Sequence, residues 1–181
     1  NERIKKQYFE YLQEAKRYSD LTIDNIRKSI LRWEEYTQFK DFGLSKQMAI
    51  GFKKCLAETK GKQSGTTLSL STMNSTINNL KEFFKWLAYQ NGYKKKINLL
   101  NVEYLSLSEN ETRAAKSTGF RAYPTIEQIR KVLESMPHKT EIEKRNRALI
   151  AFTILTGARD GAIASLKLKH IDLEHSLVKQ D

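Results

Sequence analysis

In the first half of the chain, apolar residues recur at three- and four-residue spacing, and polar breaks cut the pattern into four segments. Ile4, Tyr8, Tyr11, Leu12 and Ala15 share one face of a helix predicted over 2–18, which Ser19-Asp20 breaks. A second helix starts near Thr22, its expected N-cap, with Ile23, Ile26, Ile30, Trp33 and Thr37 on one face. Asp41-Phe42-Gly43 reads as a turn. A third helix starts at Ser45 and points Met48, Phe52, Cys55 and Leu56 inward. Residues 59–66 hold no apolar side chain and read as an exposed basic loop. The fourth helix, expected over 71–90, is the longest of this half. Its seam is Met73, Ile77, Leu80, Phe84 and Leu87, widened by Phe83 and Trp86, and Asn91-Gly92 stops it. Four helices with short connections predict a helical bundle with the aromatic stripe as its core.

Beyond this point the pattern changes. Residues 97–107 fit either a short fifth helix or an extended segment, and the polar run 108–120 reads as a linker between domains. The expected division is a helical domain over 1–106, a linker over 107–122 and a second domain over 123–181. Thr125 with Gln128 three residues on is a capping box, opening a helix expected to bury Ile126, Ile129, Val132 and Leu133. After Pro137-His138-Lys139 comes the most apolar stretch, 148–155, interrupted only by Thr153. Such a run predicts a helix buried on most sides, ended by Gly157. Arg159 follows, then Ile163, Leu166 and Leu168. Residues 170–173 and 176–178 predict the start of a sheet. An arginine locked between two buried helices suits an anion such as phosphate, which its forked donors grip. It equally suits pairing with Asp172 or Glu174, tying the two helices together.

Charge narrows the partner. The net charge is +11 and the isoelectric point about 9.6. Residues 1–120 carry 21 Lys and Arg against 13 Asp and Glu, so most of the excess lies in the helical half. That is the electrostatic footprint of a polyanion binder, and it favours nucleic acid over an anionic membrane surface. The single cysteine, Cys55, excludes an internal disulfide or a cysteine-built zinc site and implies a reducing, cytoplasmic setting. No apolar run approaches the roughly 20 residues of a membrane span, and no signal peptide is present. The chain lacks an initiating Met and reads as a fragment of something longer.

The order apolar helix, Thr156-Gly157-x-Arg159, short helix, Leu166-x-Leu168, then Ile171-Asp172 resembles the first catalytic box of the tyrosine recombinases, the phage-integrase family. The resemblance implies a mainly α chain: a four- or five-helix SAM-like core-binding bundle, a linker, and the truncated start of an α+β catalytic domain. It implies that Arg159 clamps the scissile phosphate of double-stranded DNA, and that the intact protein cuts and rejoins strands through a 3'-phosphotyrosyl link. Such proteins work without metal or cofactor, as tetramers on paired sites, although a fragment of this kind is expected to be monomeric. The family usually carries an acid three residues after the arginine, where this chain has Ala162; Asp160 is the nearest acid. The lysine hairpin, the His-x-x-Arg box and the late nucleophilic tyrosine have no match in these residues, so the chain by itself is expected to be inert.

Other chemistries find little support. His170 and His175 are not at helical metal spacing, and Lys60-Gly61-Lys62-Gln63-Ser64-Gly65 lacks the order of a phosphate loop. For DNA, two helix faces stand out: Thr22, Asn25, Lys28 and Arg32 on the second helix, and Thr72, Asn74, Ser75, Asn78 and Lys81 on the fourth. Helix starts favour phosphates, and Asn reads adenine in the major groove. Lys60, Lys62, Lys94, Lys95 and Lys96 suit phosphate contacts. The alternative, from the basic helical half and Ala162, is a non-catalytic DNA-binding module or a degenerate recombinase relative.

Overall fold

The computed structural model describes residues 1–60, 65–117 and 122–179. The chain separates into two compact units, Asn1–Gly119 and Phe120–Asp181.

The first unit is helical. It comprises α1 (Glu2–Glu14), α2 (Asp20–Tyr36), α3 (Lys46–Glu58), α4 (Leu70–Leu87), α5 (Leu99–Val102) and α6 (Glu109–Lys116). Serines start the main helices. Ser19, Ser45 and Ser69 each accept a hydrogen bond from the backbone N–H three residues on, supplying an otherwise orphaned donor with a partner. The cap of α2 is therefore Ser19, three residues before the expected Thr22. Thr22 is the residue whose N–H Ser19 accepts, and two hydroxyl residues at that spacing compete for the same role. The first helix ends at Glu14 rather than near Tyr18, because Arg17 leaves it through a positive φ of 54°.

The core is one cluster drawn from all the expected seams: Tyr8, Ile30, Trp33, Phe52, Ile77, Leu80, Phe83, Phe84 and Leu87 are sealed from solvent. Trp33 meets both Phe52 and Phe84 edge to face, with ring centroids 5.0 Å apart. Segments outside the main helices also contribute. Phe42 and Leu44 from the α2–α3 connection, and Ile97, Val102 and Leu105 around α5, are fully or nearly buried. Cys55, expected inward, is exposed; Ala49, Phe52 and Leu56 form the inner stripe of α3, and Cys55 falls one step off it. The stretch read as a linker contains α6, held by a Ser108–Glu111 capping box and packed on α4. Gly51 sits in mid-helix against α2, and the Tyr36 hydroxyl occupies the space a Cβ would need there. Among the described residues one charge pair is enclosed: Glu34, 1% exposed, accepts from Lys5 Nζ at 2.8 Å.

The second unit contains α7 (Ile126–Ser135), α8 (Glu141–Thr156), α9 (Asp160–Ala164), a 3-10 turn (Leu168–His170) and a hairpin of β1 (Ile171–Asp172) and β2 (Leu177–Val178). The hairpin register is Ile171 to Val178 and Asp172 to Leu177. The Thr125–Gln128 capping box forms, and Thr140–Glu143 makes a second at α8. Gly157 ends α8 at φ 64° in the left-handed region. Burial departs from expectation. No described residue of α7, α8 or α9 is buried; Ile126 is 74% exposed and Leu155 85%. An all-round apolar helix needs cover on several sides, and within this unit α8 packs mainly on α7. Among the described residues no helix is long and apolar enough to cross a membrane.

Candidate nucleic-acid interface

The helices α2 and α4 cross in the first unit, tied together by two side-chain hydrogen bonds. Arg32 Nη1 donates to Thr76 Oγ1 at 2.9 Å, and Asn79 Nδ2 donates to Ser29 Oγ at 3.0 Å. Beside these ties lies a groove of about 440 Å³ lined by Thr22, Asn25, Ile26, Lys28, Ser29 and Arg32 from α2 and by Ser71, Thr72, Ser75, Thr76 and Asn79 from α4. The four expected α2 residues and two of the five from α4 thus line one surface. The first turns of both helices border it, so the positive ends of two helix dipoles contribute. Two of the lining side chains are cationic and none is acidic. Both helices open with the same device: Ser19 and Ser69 pair through their hydroxyls with Thr22 and Thr72, at 3.0 and 2.9 Å.

The other expected residues are placed differently. Asn74 and Asn78 bond to one another at 3.4 Å, and neither lines the groove. Lys81 donates to Glu103 at 2.6 Å; this hydrogen bond, and then the ammonium charge, hold the Glu103 carboxyl below the usual carboxylate range. Helical periodicity explains the split: 72, 75, 76 and 79 fall on one face, whereas 74, 78 and 81 turn to its side. The same periodicity picks out Ser71, Thr76 and Asn79, which the reading of the sequence passed over. Lys94, Lys95 and Lys96 are exposed in the turn after α4, and Lys96 lies 4.0 Å from Asp41. Lys60 is exposed and bridges Thr67 through its backbone; Lys62 lies outside the described residues.

In the second unit Arg159 is exposed and precedes the first residue of α9. Neither candidate partner neutralises it. Asp172 instead binds His175, whose backbone N–H donates to Oδ1 at 3.1 Å and whose Nδ1 lies 2.9 Å from Oδ2. The backbone bond from His175, then that from its side chain, hold the Asp172 carboxyl below its ordinary value. Among the described residues, Arg159 makes no ion pair. The core does not fix its guanidinium as expected, since the helices on either side are themselves open to solvent.

Residues 6–91 match the family described as phage integrase, N-terminal SAM-like domain. They span α2, α3 and α4 and most of α1, and so include the whole groove. Over 177 residues the chain is 25% identical to the tyrosine recombinase XerC of Bacillus pumilus (strain SAFR-032), covering 94% of this chain and 52% of the relative. Both comparisons point to the tyrosine recombinase/integrase family, whose N-terminal domain matches just under half of the chain. To the tyrosine recombinase XerC of Lactobacillus delbrueckii subsp. bulgaricus (strain ATCC BAA-365 / Lb-18), the chain is 22% identical over 179 residues, covering 97% of this chain and 55% of the relative. It therefore spans about half the length of the curated relatives it matches. No solved structure matches it significantly.

Proposed function

We propose that the chain is part of a tyrosine recombinase and that its helical unit holds duplex DNA in the α2–α4 groove. In the intact protein, Arg159 then grips the scissile phosphate while strands are cut and rejoined through a 3'-phosphotyrosyl intermediate. The observation that carries the reading is the composition of the groove: two helix first turns, Lys28 and Arg32, six hydroxyl side chains, two asparagine amides and no carboxylate. Phosphates take the cations and helix starts, while Asn25 faces the same surface as a candidate base reader. The exposed, unneutralised Arg159 and its Thr-Gly-x-Arg setting support the second half. A preorganised cation of this kind stabilises charge that develops on the phosphorus oxygens during transfer.

The test for the groove is a salt titration of the full chain on duplex DNA. Log affinity falls with log salt by roughly 0.9 per phosphate contacted, and Lys28→Ala lowers the slope by about one. A flat salt response, or an unaltered slope in the variant, refutes the groove. For the second unit, Arg159→Ala in the intact recombinase still binds its site but loses strand cleavage; undiminished cleavage removes that role. Ala162, standing where the family usually has an acid, favours the reading of a non-catalytic DNA-binding module, which predicts duplex binding and no cleavage in the parent protein.

A further inference from the structure

Beside the groove, and sharing Ile26 and Asn79 with it, opens a second cavity of about 330 Å³. Its walls are rings rather than amides. Tyr11 of α1 and Trp86 of α4 stack with centroids 6.1 Å apart and planes 28° from parallel, and Tyr8 braces Trp86 at 4.9 Å. Tyr18 and Tyr89 complete the lining at 43% and 68% exposure. The core accounts for Tyr8, which is buried, and for part of Trp86. It does not account for Tyr18 and Tyr89, which lie outside the buried cluster and are exposed. The backbone sets Tyr18 in place: Arg17 takes a positive φ of 54°, and the Tyr18 N–H donates to Leu12 O at 3.1 Å.

Charge and shape select the occupant. Lys16 Nζ lies 5.9 Å from the Tyr11 ring centroid, and Lys85 stands at the rim, paired at 3.0 Å with Glu82, the only carboxylate of the lining. Flat aromatic faces flanked by cations fit a base and its phosphate. An apolar protein segment would want an aliphatic floor, and only Leu12 and Ile26 supply one. The volume is near the small end of ligand sites, about 300–1,000 Å³, suiting one base rather than a strand.

We propose that this cavity is a stacking site for an unpaired nucleobase, receiving single-stranded DNA next to the groove. The site is independent of whether duplex DNA fills that groove. Trp33, the other tryptophan, is sealed in the core, so a ligand-dependent change in tryptophan fluorescence reports Trp86. The full chain is titrated with a short single-stranded oligothymidine and with the duplex it forms with oligoadenine. Single strand quenches Trp86. The double variant Tyr18→Ala/Tyr89→Ala weakens single-strand affinity by about fivefold or more and leaves duplex affinity unchanged. Both rings are surface groups, and an unchanged thermal melt by circular dichroism verifies the fold. Three results overturn the proposal: no single-strand binding by the parent, equal single-strand affinity in the variant, or loss of self-association in the variant by sedimentation, which assigns the cavity to a second copy of the chain. Loss of the Lys28 effect on duplex, with the ring effect intact, counts against the groove alone.

Discussion

The helices α4 and α8 are of similar length, 18 and 16 residues, and each carries a strongly apolar run. Seven residues of α4 are buried and none of α8. In α4 the apolar residues form a seam against α2, α3, α5 and α6, and the remaining face is polar enough to meet a ligand. In α8 they run all round, with α7 the main partner inside the unit. Hydrophobic content fixes neither burial nor function; what decides both is how many elements converge on a helix. The same contrast separates the candidate sites: the groove rests on a packed bundle, whereas Arg159 stands on helices that nothing in their own unit encloses.

The largest expected effect tests that contrast directly. Phe84→Ala removes a sealed ring and destabilises the first unit by about 3–5 kcal/mol, while Ile154→Ala costs the second less than about 1 kcal/mol. Urea melts of the full chain, followed by amide NMR signals of each unit separately, check the pair; comparable losses would abolish the distinction. Next in size is Lys5→Met. It leaves the enclosed Glu34 carboxylate without its counter-charge, for a loss of about 3 kcal/mol in the same melts.

The smallest effect concerns acid. Glu111 is held below the carboxylate range by the Ser108 side chain and then its backbone N–H, and Glu143 by the backbone N–H groups of Thr140 and Lys139. Their folded values are lowered, so the stabilisation is present above the ordinary carboxylate range and is lost as pH falls through the lowered values. Hydrogen exchange between about pH 6 and pH 3 should show α8 fraying at its first turn before α6, which packs on the buried helix α4. Glu143→Gln, which keeps the cap geometry without the charge, should flatten the pH dependence at α8.

What was legible in the sequence follows the same division. The α4 seam, the Ser45 start, the Thr125 box and the Gly157 exit rest on local periodicity or cap chemistry, and local rules read them. Phe42, Leu44 and Leu105 lie outside helical periodicity and enter the core through long-range packing that no window of sequence shows. The meeting of two polar helix faces at one groove depends on which helices cross. The residue types pointed to each face, but only the fold shows that Thr22 and Ser75 share a surface while Asn74 and Lys81 do not. Arg159 was recognised through the order of its neighbours, and its open surroundings could not be read from them.

Gly51 carries a consequence for the groove that it does not touch. Alanine normally strengthens a helix interior relative to glycine by about 1 kcal/mol. Here the added methyl would strike the Tyr36 hydroxyl, whose ring is hemmed in by Trp33 and Phe52. The push would pass down α2, a stiff rod that also bears Asn25, Lys28 and Arg32. A position on α3 thereby acts as a set-screw for how those three side chains are aimed, adjustable by a single carbon atom.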